Sequence, residues 1–99
     1  MVGLKILIQL TKEKRREFIQ AFEFLTCKSS DCLGQYLYED IKEDNRFLWM
    51  ERWTSSNALD AHLKSDHFRS VLGAIEVLGE LENLQLVEFR APPDNLKCL

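Results

Sequence analysis

Hydrophobic positions along the 99-residue chain switch between a period of two and a period near 3.6, and the switches divide it into short elements. From Gly3 to Leu10, Leu4, Ile6, Ile8 and Leu10 alternate with Lys5, Leu7 and Gln9. Neither face is strongly polar, which reads as an interior strand. Thr11 offers a cap hydroxyl and Glu13 a favourable first-turn charge for a helix of about four turns ending near Cys27, with Phe18, Ile19, Phe22 and Leu25 at helical spacing. Leu33 to Ile41 alternates again, Tyr36 and Tyr38 against Leu37 and Glu39, with the mixed polarity of an edge strand. The wholly polar segment Lys42, Glu43, Asp44, Asn45 then predicts an antiparallel hairpin into a third strand, Arg46 to Trp53. That strand sets Phe47, Trp49, Glu51 and Trp53 on one face and Leu48, Met50 and Arg52 on the other.

Thr54, Ser55 and Ser56 are cap candidates for a helix through Leu63, and Ser65 or Asp66 can start another that runs to about Gly79 with Phe68, Val71, Leu72, Ile75 and Leu78 in one stripe. A last strand is read over Asn83 to Arg90. The order strand, helix, strand, strand, helix pair, strand is that of an α+β, ferredoxin-like split β-α-β sandwich. Right-handed crossovers put the helices on one side of the sheet and leave the other bare. Because both faces of the third strand are largely apolar, a lone chain would expose either Leu48 and Met50 or the Phe47, Trp49 and Trp53 set, and a face-to-face homodimer removes that cost. The domain is read over 1–91, with residues 92–99 as a tail that Pro92 and Pro93 keep out of any strand or helix.

Composition narrows the partners. Thirteen basic against sixteen acidic side chains give a net charge of −3, and Lys12 to Arg16 is the longest basic cluster, so nucleic acid is not expected. No apolar run reaches the ~20 residues needed to span a bilayer and no leader pattern opens the chain, so a cytoplasmic protein is expected. Cys27, Cys32 and Cys98 then read as free thiols. A zinc site from Cys27, Cys32, His62 and His67 is disfavoured, since the spacing between the two pairs is about twice that of a zinc finger.

The helix near Ser56 aims His62 at the sheet beside Leu59 and Leu63. Beneath it Glu51 interrupts a row of aromatic residues, and a buried carboxylate needs a cationic or hydrogen-bonding partner. His62 is the natural one. If the two faced a pocket, Glu51→Gln would cost only about 1 kcal/mol, whereas a purely structural pair would lose several. His67 sits about 140° away on a continuous helix, so the two histidines share a site only if the helix breaks near Ser65 and Asp66. Trp49 and Trp53 are read either as core or as the wall of an aromatic-ligand pocket. No glycine-rich nucleotide loop, P-loop or serine elbow is present, so no nucleotide or flavin site is expected.

The segment from Phe47 to Phe68, FLWMERWTSSNALDAHLKSDHF, is similar to the antibiotic biosynthesis monooxygenase family. The resemblance rests on Glu51, Trp53, Ala58, Leu59, His62, Leu63, Ser65, His67 and Phe68, and with the flanking elements it covers Val2 to Arg90. It implies a dimeric α+β barrel with a pocket between sheet and helices in each subunit. It also implies cofactor-free oxygenation of a quinol or other small hydroxyaromatic by dioxygen, the substrate being its own reductant. In the family's heme-degrading branch an axial histidine falls where this chain has Leu72 and a strand asparagine where it has Ile6, so heme is disfavoured. A tyrosine of the polyketide-tailoring members falls at Leu59, which argues against an anthrone-type reaction.

The resulting expectation is a monooxygenase with His62 as base and Glu51 orienting it or stabilising its charge. Trp49, Trp53 and Phe68 would line the pocket, with His67 at its entrance. The competing expectation is a non-catalytic ligand-binding or structural dimer module of the same fold.

Overall fold

The computed structural model describes residues 1–90, so the tail read over 92–99 lies outside the described residues. Strands β1 (Val2–Leu10), β2 (Cys32–Glu39), β3 (Arg46–Trp53) and β4 (Gly79–Glu88) form one antiparallel sheet in the order β2-β3-β1-β4. Helices α1 (Arg15–Phe24), α2 (Ser56–Leu63) and α3 (Asp66–Leu78) complete the α+β ferredoxin-like sandwich. Period-two strands and 3.6-period helices here share a single apolar cluster. Leu4, Ile6, Ile8, Phe47, Trp49 and Trp53 from the sheet pack with Phe18, Leu59, Phe68, Val71 and Ile75 from the helices. The sheet thus turns Phe47, Trp49, Glu51 and Trp53 under the helices, and Leu48, Met50 and Arg52, half-buried, form the opposite face of β3 with Tyr36 and Tyr38 of β2 beside them.

Four boundaries differ from the sequence reading, each for a local reason. Thr11 makes no side-chain cap; its carbonyl accepts from the Lys14 amide at 3.1 Å, opening a 3₁₀ turn over Lys12–Lys14 before α1 begins. α1 closes at Leu25, short of Cys27, where the Leu25 amide donates to the Ala21 carbonyl. β2 ends at Glu39, and Ile41 is 98% exposed in the turn, where the left-handed Asn45 (φ 61°) helps reverse the chain. β4 begins at Gly79, directly after α3, rather than at Asn83. Its register slips opposite Leu7 and Ile8, so Leu81 and Leu84 share a face despite an odd spacing, and the bulge hides the period of two.

Two glycines matter for how tightly β1 is flanked. A Cβ at Gly79 would overlap the Gln9 carbonyl and the Leu10 side chain, and one at Gly3 would overlap the Glu51 carbonyl oxygen and the Phe89 ring. Gly3→Ala should therefore lose about 1–3 kcal/mol by overpacking, measured by urea denaturation.

Candidate active site

Glu51 lies on β3 two residues before its end, with no exposed surface, and the sequence around it supplies its partners. Alternation puts Trp49 and Trp53 on the same face, two residues to either side. Their indole N–H groups both donate to the carboxylate, Trp49 Nε1 to Oε2 at 2.9 Å and Trp53 Nε1 to Oε1 at 3.1 Å. Gln35, paired with Glu51 across the β2–β3 ladder, donates from Nε2 to Oε2 at 3.2 Å. From above, His62 of α2 brings Nε2 to 2.9 Å from Oε1, with the ring N–H off the line to that oxygen. That contact is an electrostatic approach rather than an in-line hydrogen bond.

Burial alone would push the Glu51 carboxyl up, but the His62 contact and the two indole donors outweigh it and hold the group below the ordinary value of 4.5. The sign of the consequence follows from linkage. A carboxyl whose folded-state value is depressed contributes stability above its unfolded value, and that contribution is lost as pH falls through the folded one. Wild-type stability should therefore drop as pH falls below about 4.5. Glu51→Gln, which cannot titrate there, should show a shallower fall by thermal denaturation across the same range.

α2 and α3 set the rest of the site. Ser55 caps α2 by accepting from the Ala58 amide, and Leu59 and His62, one helical turn apart, both turn inward. The helix then breaks at Lys64. The Ser65 hydroxyl donates to the His62 carbonyl at 2.6 Å and accepts from the Phe68 amide at 3.2 Å, capping α3. This break brings the His62 and His67 rings to 5.9 Å, which a continuous helix would not allow. The His62 ring also lies 4.4 Å from Trp53 and 5.2 Å from Phe68.

Beside this assembly a cavity of about 320 Å³ is lined by Cys27, Ser29, Asp31, Trp53, Ala58, Ala61, His62, Ser65 and His67. That is at the small end of ligand-binding clefts, roughly 300–1,000 Å³. A larger groove of about 410 Å³ between Gln9–Lys14 and Val77–Glu80 contains no imidazole or thiol. The smaller cavity is the one lined by imidazole and thiol groups.

Glu51 and His62 therefore meet, and Trp53, His62 and His67 stand on the cavity wall, His67 with a buried, unpartnered Nε2. Trp49 and Phe68, expected on that wall, are not. α1 lies over Trp49 and packs Phe18 and Phe22 edge-on against its indole, at 6.2 and 4.8 Å, while Phe68 is buried behind His62. Sequence reasoning missed Gln35, whose signal was its register opposite Glu51, and the loop residues Cys27, Ser29 and Asp31. No group of three or more metal-binding side chains occurs among the described residues. No described helix is long and apolar enough to cross a membrane.

Fold and site together are those of a small α+β protein with a cavity walled in part by Trp53, His62 and His67, behind which His62 meets a buried carboxylate. Residues 1–73 match the model of the antibiotic biosynthesis monooxygenase family, and the chain belongs to that family. It is 31% identical over 72 residues to Putative monooxygenase YcnE of Bacillus subtilis, covering 70% of this chain and 76% of that one. It is 36% identical over 64 residues to sll1783 of Synechocystis, covering 62% of this chain but only 44% of that longer protein. Among solved structures, a conserved protein from Bacteroides thetaiotaomicron superposes with a TM-score of 0.77 at 27% identity, covering 89% of this chain and 96% of that one. SnoaB of Streptomyces nogalater, a cofactor-independent oxygenase, shares the fold with a TM-score of 0.73 at 18% identity, covering 94% and 96%.

Proposed function

We propose that the protein is a cofactor-independent monooxygenase of a quinol or similar small hydroxyaromatic, with the cavity over Trp53 as its active site. The observation that carries this reading is the Glu51–His62 contact of 2.9 Å at the wall of a cavity of ligand size. With Nε2 committed to Glu51, Nδ1 is the nitrogen of His62 left to accept a proton from a bound hydroxyl. The carboxylate stabilises the imidazolium that forms, as a fixed partner in a water-poor setting. The resulting phenolate is electron-rich enough to reduce dioxygen. For a hydroquinone the balance closes without a cofactor: one oxygen atom enters the ring, the other leaves as water, and the substrate supplies both electrons. Trp53 provides the flat wall, and His67 stands beside it at the rim.

Oxygen uptake by the purified protein with a panel of benzo- and naphthohydroquinones and hydroxyaromatics tests the reading. Uptake above the uncatalysed rate for at least one compound is expected, and none above it for any compound would favour a non-catalytic binding module.

The same reading places the active form in a homodimer in the cytoplasm. Leu7, Leu48, Met50, Tyr36 and Tyr38 share the face of the sheet that the helices leave uncovered, with Tyr38 50% exposed. An apolar face of this kind is characteristic of an interface. Met50→Glu should give monomer or aggregate by light scattering, and a wild type that is monomeric at micromolar concentration would sink the sheet-to-sheet assembly.

A further inference from the structure

Cys27 and Cys32 have no part in the chemistry above, yet the fold sets them at the two ends of one short turn, with Cys27 on the cavity wall. Both are partly buried free cysteines packed on the same apolar cluster. The loop between them doubles back: the Cys32 amide donates to the Ser29 carbonyl at 3.1 Å, and the Cys27 amide donates to Gln35 Oε1 at 2.8 Å, three residues beyond Cys32. The turn's far end is tied to the residue just after β3, where the Thr54 amide donates to the Asp31 carbonyl at 3.0 Å. Both cysteines are thus anchored through their amides at the two ends of one short turn, Cys27 to the Gln35 side chain and Cys32 to the Ser29 carbonyl. Cys27 stands on the cavity wall, whereas the Cys32 thiol points along β2 and donates to the Gly34 carbonyl at 3.6 Å.

We propose that Cys27 and Cys32 form a dithiol site for peroxides, in which Cys27 is oxidised first from the cavity side and Cys32 closes the intramolecular disulfide. The Cys27 thiolate attacks one peroxide oxygen, the O–O bond breaks, and hydroxide leaves to take up a proton as water. The Cys27 sulfenic acid so formed is attacked by Cys32 sulfur, the S–O bond breaks, and a second water departs with the Cys32 proton. Two thiols lose one electron each and the peroxide gains two. The order of events fits the surroundings. Burial, aided by the adjacent Cys27 and Glu51, pushes the Cys32 thiol up to about 11, which leaves it protonated and a poor first nucleophile. The proposal is independent of turnover on a hydroxyaromatic.

The test uses the full chain carrying Cys98→Ser, so that only the two thiols in question remain, treated with hydrogen peroxide and then counted for free thiols. Both thiols should be lost together and return on reduction with dithiothreitol. Trypsin cuts after Lys28, between the two cysteines, so non-reducing digestion should yield the two peptides joined. Adding Cys32→Ser should stop the reaction at a Cys27 sulfenic acid trapped by dimedone, and adding Cys27→Ser instead should leave the Cys32 thiol unreacted. Persistence of both thiols in excess peroxide, a joined pair drawn from two differently isotope-labelled chains, or first oxidation at Cys32 would each overturn the proposal.

Discussion

Glu51→Ala should be the most damaging single substitution in this domain, with an expected loss of about 3–5 kcal/mol. The carboxylate accepts from Trp49, Trp53 and Gln35 and faces His62, all at 2.9–3.2 Å and all beneath the helices. Truncation leaves those donors without an acceptor in a water-poor interior, and an unmade buried hydrogen bond costs far more than a made one contributes. For a chain of this size each kcal/mol moves Tm by roughly 4–8 °C, so the effect is readable by calorimetry. The neighbours also change the expectation for Glu51→Gln. A pair facing a pocket with nothing else around it would lose about 1 kcal/mol. Here both carboxylate oxygens already accept, so the amide must turn its NH₂ toward groups that themselves donate. A loss of roughly 1–3 kcal/mol is expected, between the two substitutions' extremes.

His62→Gln should have the largest effect on activity. Glutamine approximates the reach and one hydrogen-bonding end of the imidazole, so the cavity wall is kept, but it accepts no proton near neutral pH. Loss of a general base typically costs 10²–10⁴-fold, and a fall of about that size in the oxygen-uptake rate is expected. Affinity for the hydroxyaromatic should change far less, because Trp53 and the alanines of α2 remain on the wall. An unchanged rate would remove His62 from the chemistry. Circular dichroism of the variant separates this from misfolding, since His62 is buried against Trp53 and Phe68.

The parts of the fold that were legible from sequence are those where local pattern and tertiary environment agree. β1 and β3 alternate cleanly because both are interior strands, and the α3 stripe is continuous because one face meets the core. The start of β4 is hidden because its bulge breaks the alternation and because Glu80 and Glu82 look like loop. Thr11 has the composition of a cap, but a 3₁₀ turn satisfies the same amide from its carbonyl, and composition does not distinguish the two. The Glu51–His62 pair could be read because an acidic residue among aromatics demands a partner and helical spacing supplied one. Strand alternation groups Trp49 with Trp53 and so predicts both on the cavity wall. Which helix covers which end of a strand is a tertiary fact, and α1 covers the Trp49 end. Gln35 and the Cys27–Asp31 wall depend on hairpin register and loop path, which one sequence expresses only weakly.

A crystal structure of the protein soaked anaerobically with 1,4-naphthohydroquinone decides whether the cavity over Trp53 is the active site, because without dioxygen the ligand stays reduced and in place. The fused rings should lie against the Trp53 indole, with one hydroxyl oxygen roughly 2.6–3.2 Å from His62 Nδ1 and Glu51 still facing Nε2. Rings seated in the cavity with no hydroxyl near His62, or bound only in the groove between Gln9–Lys14 and Val77–Glu80, would contradict it.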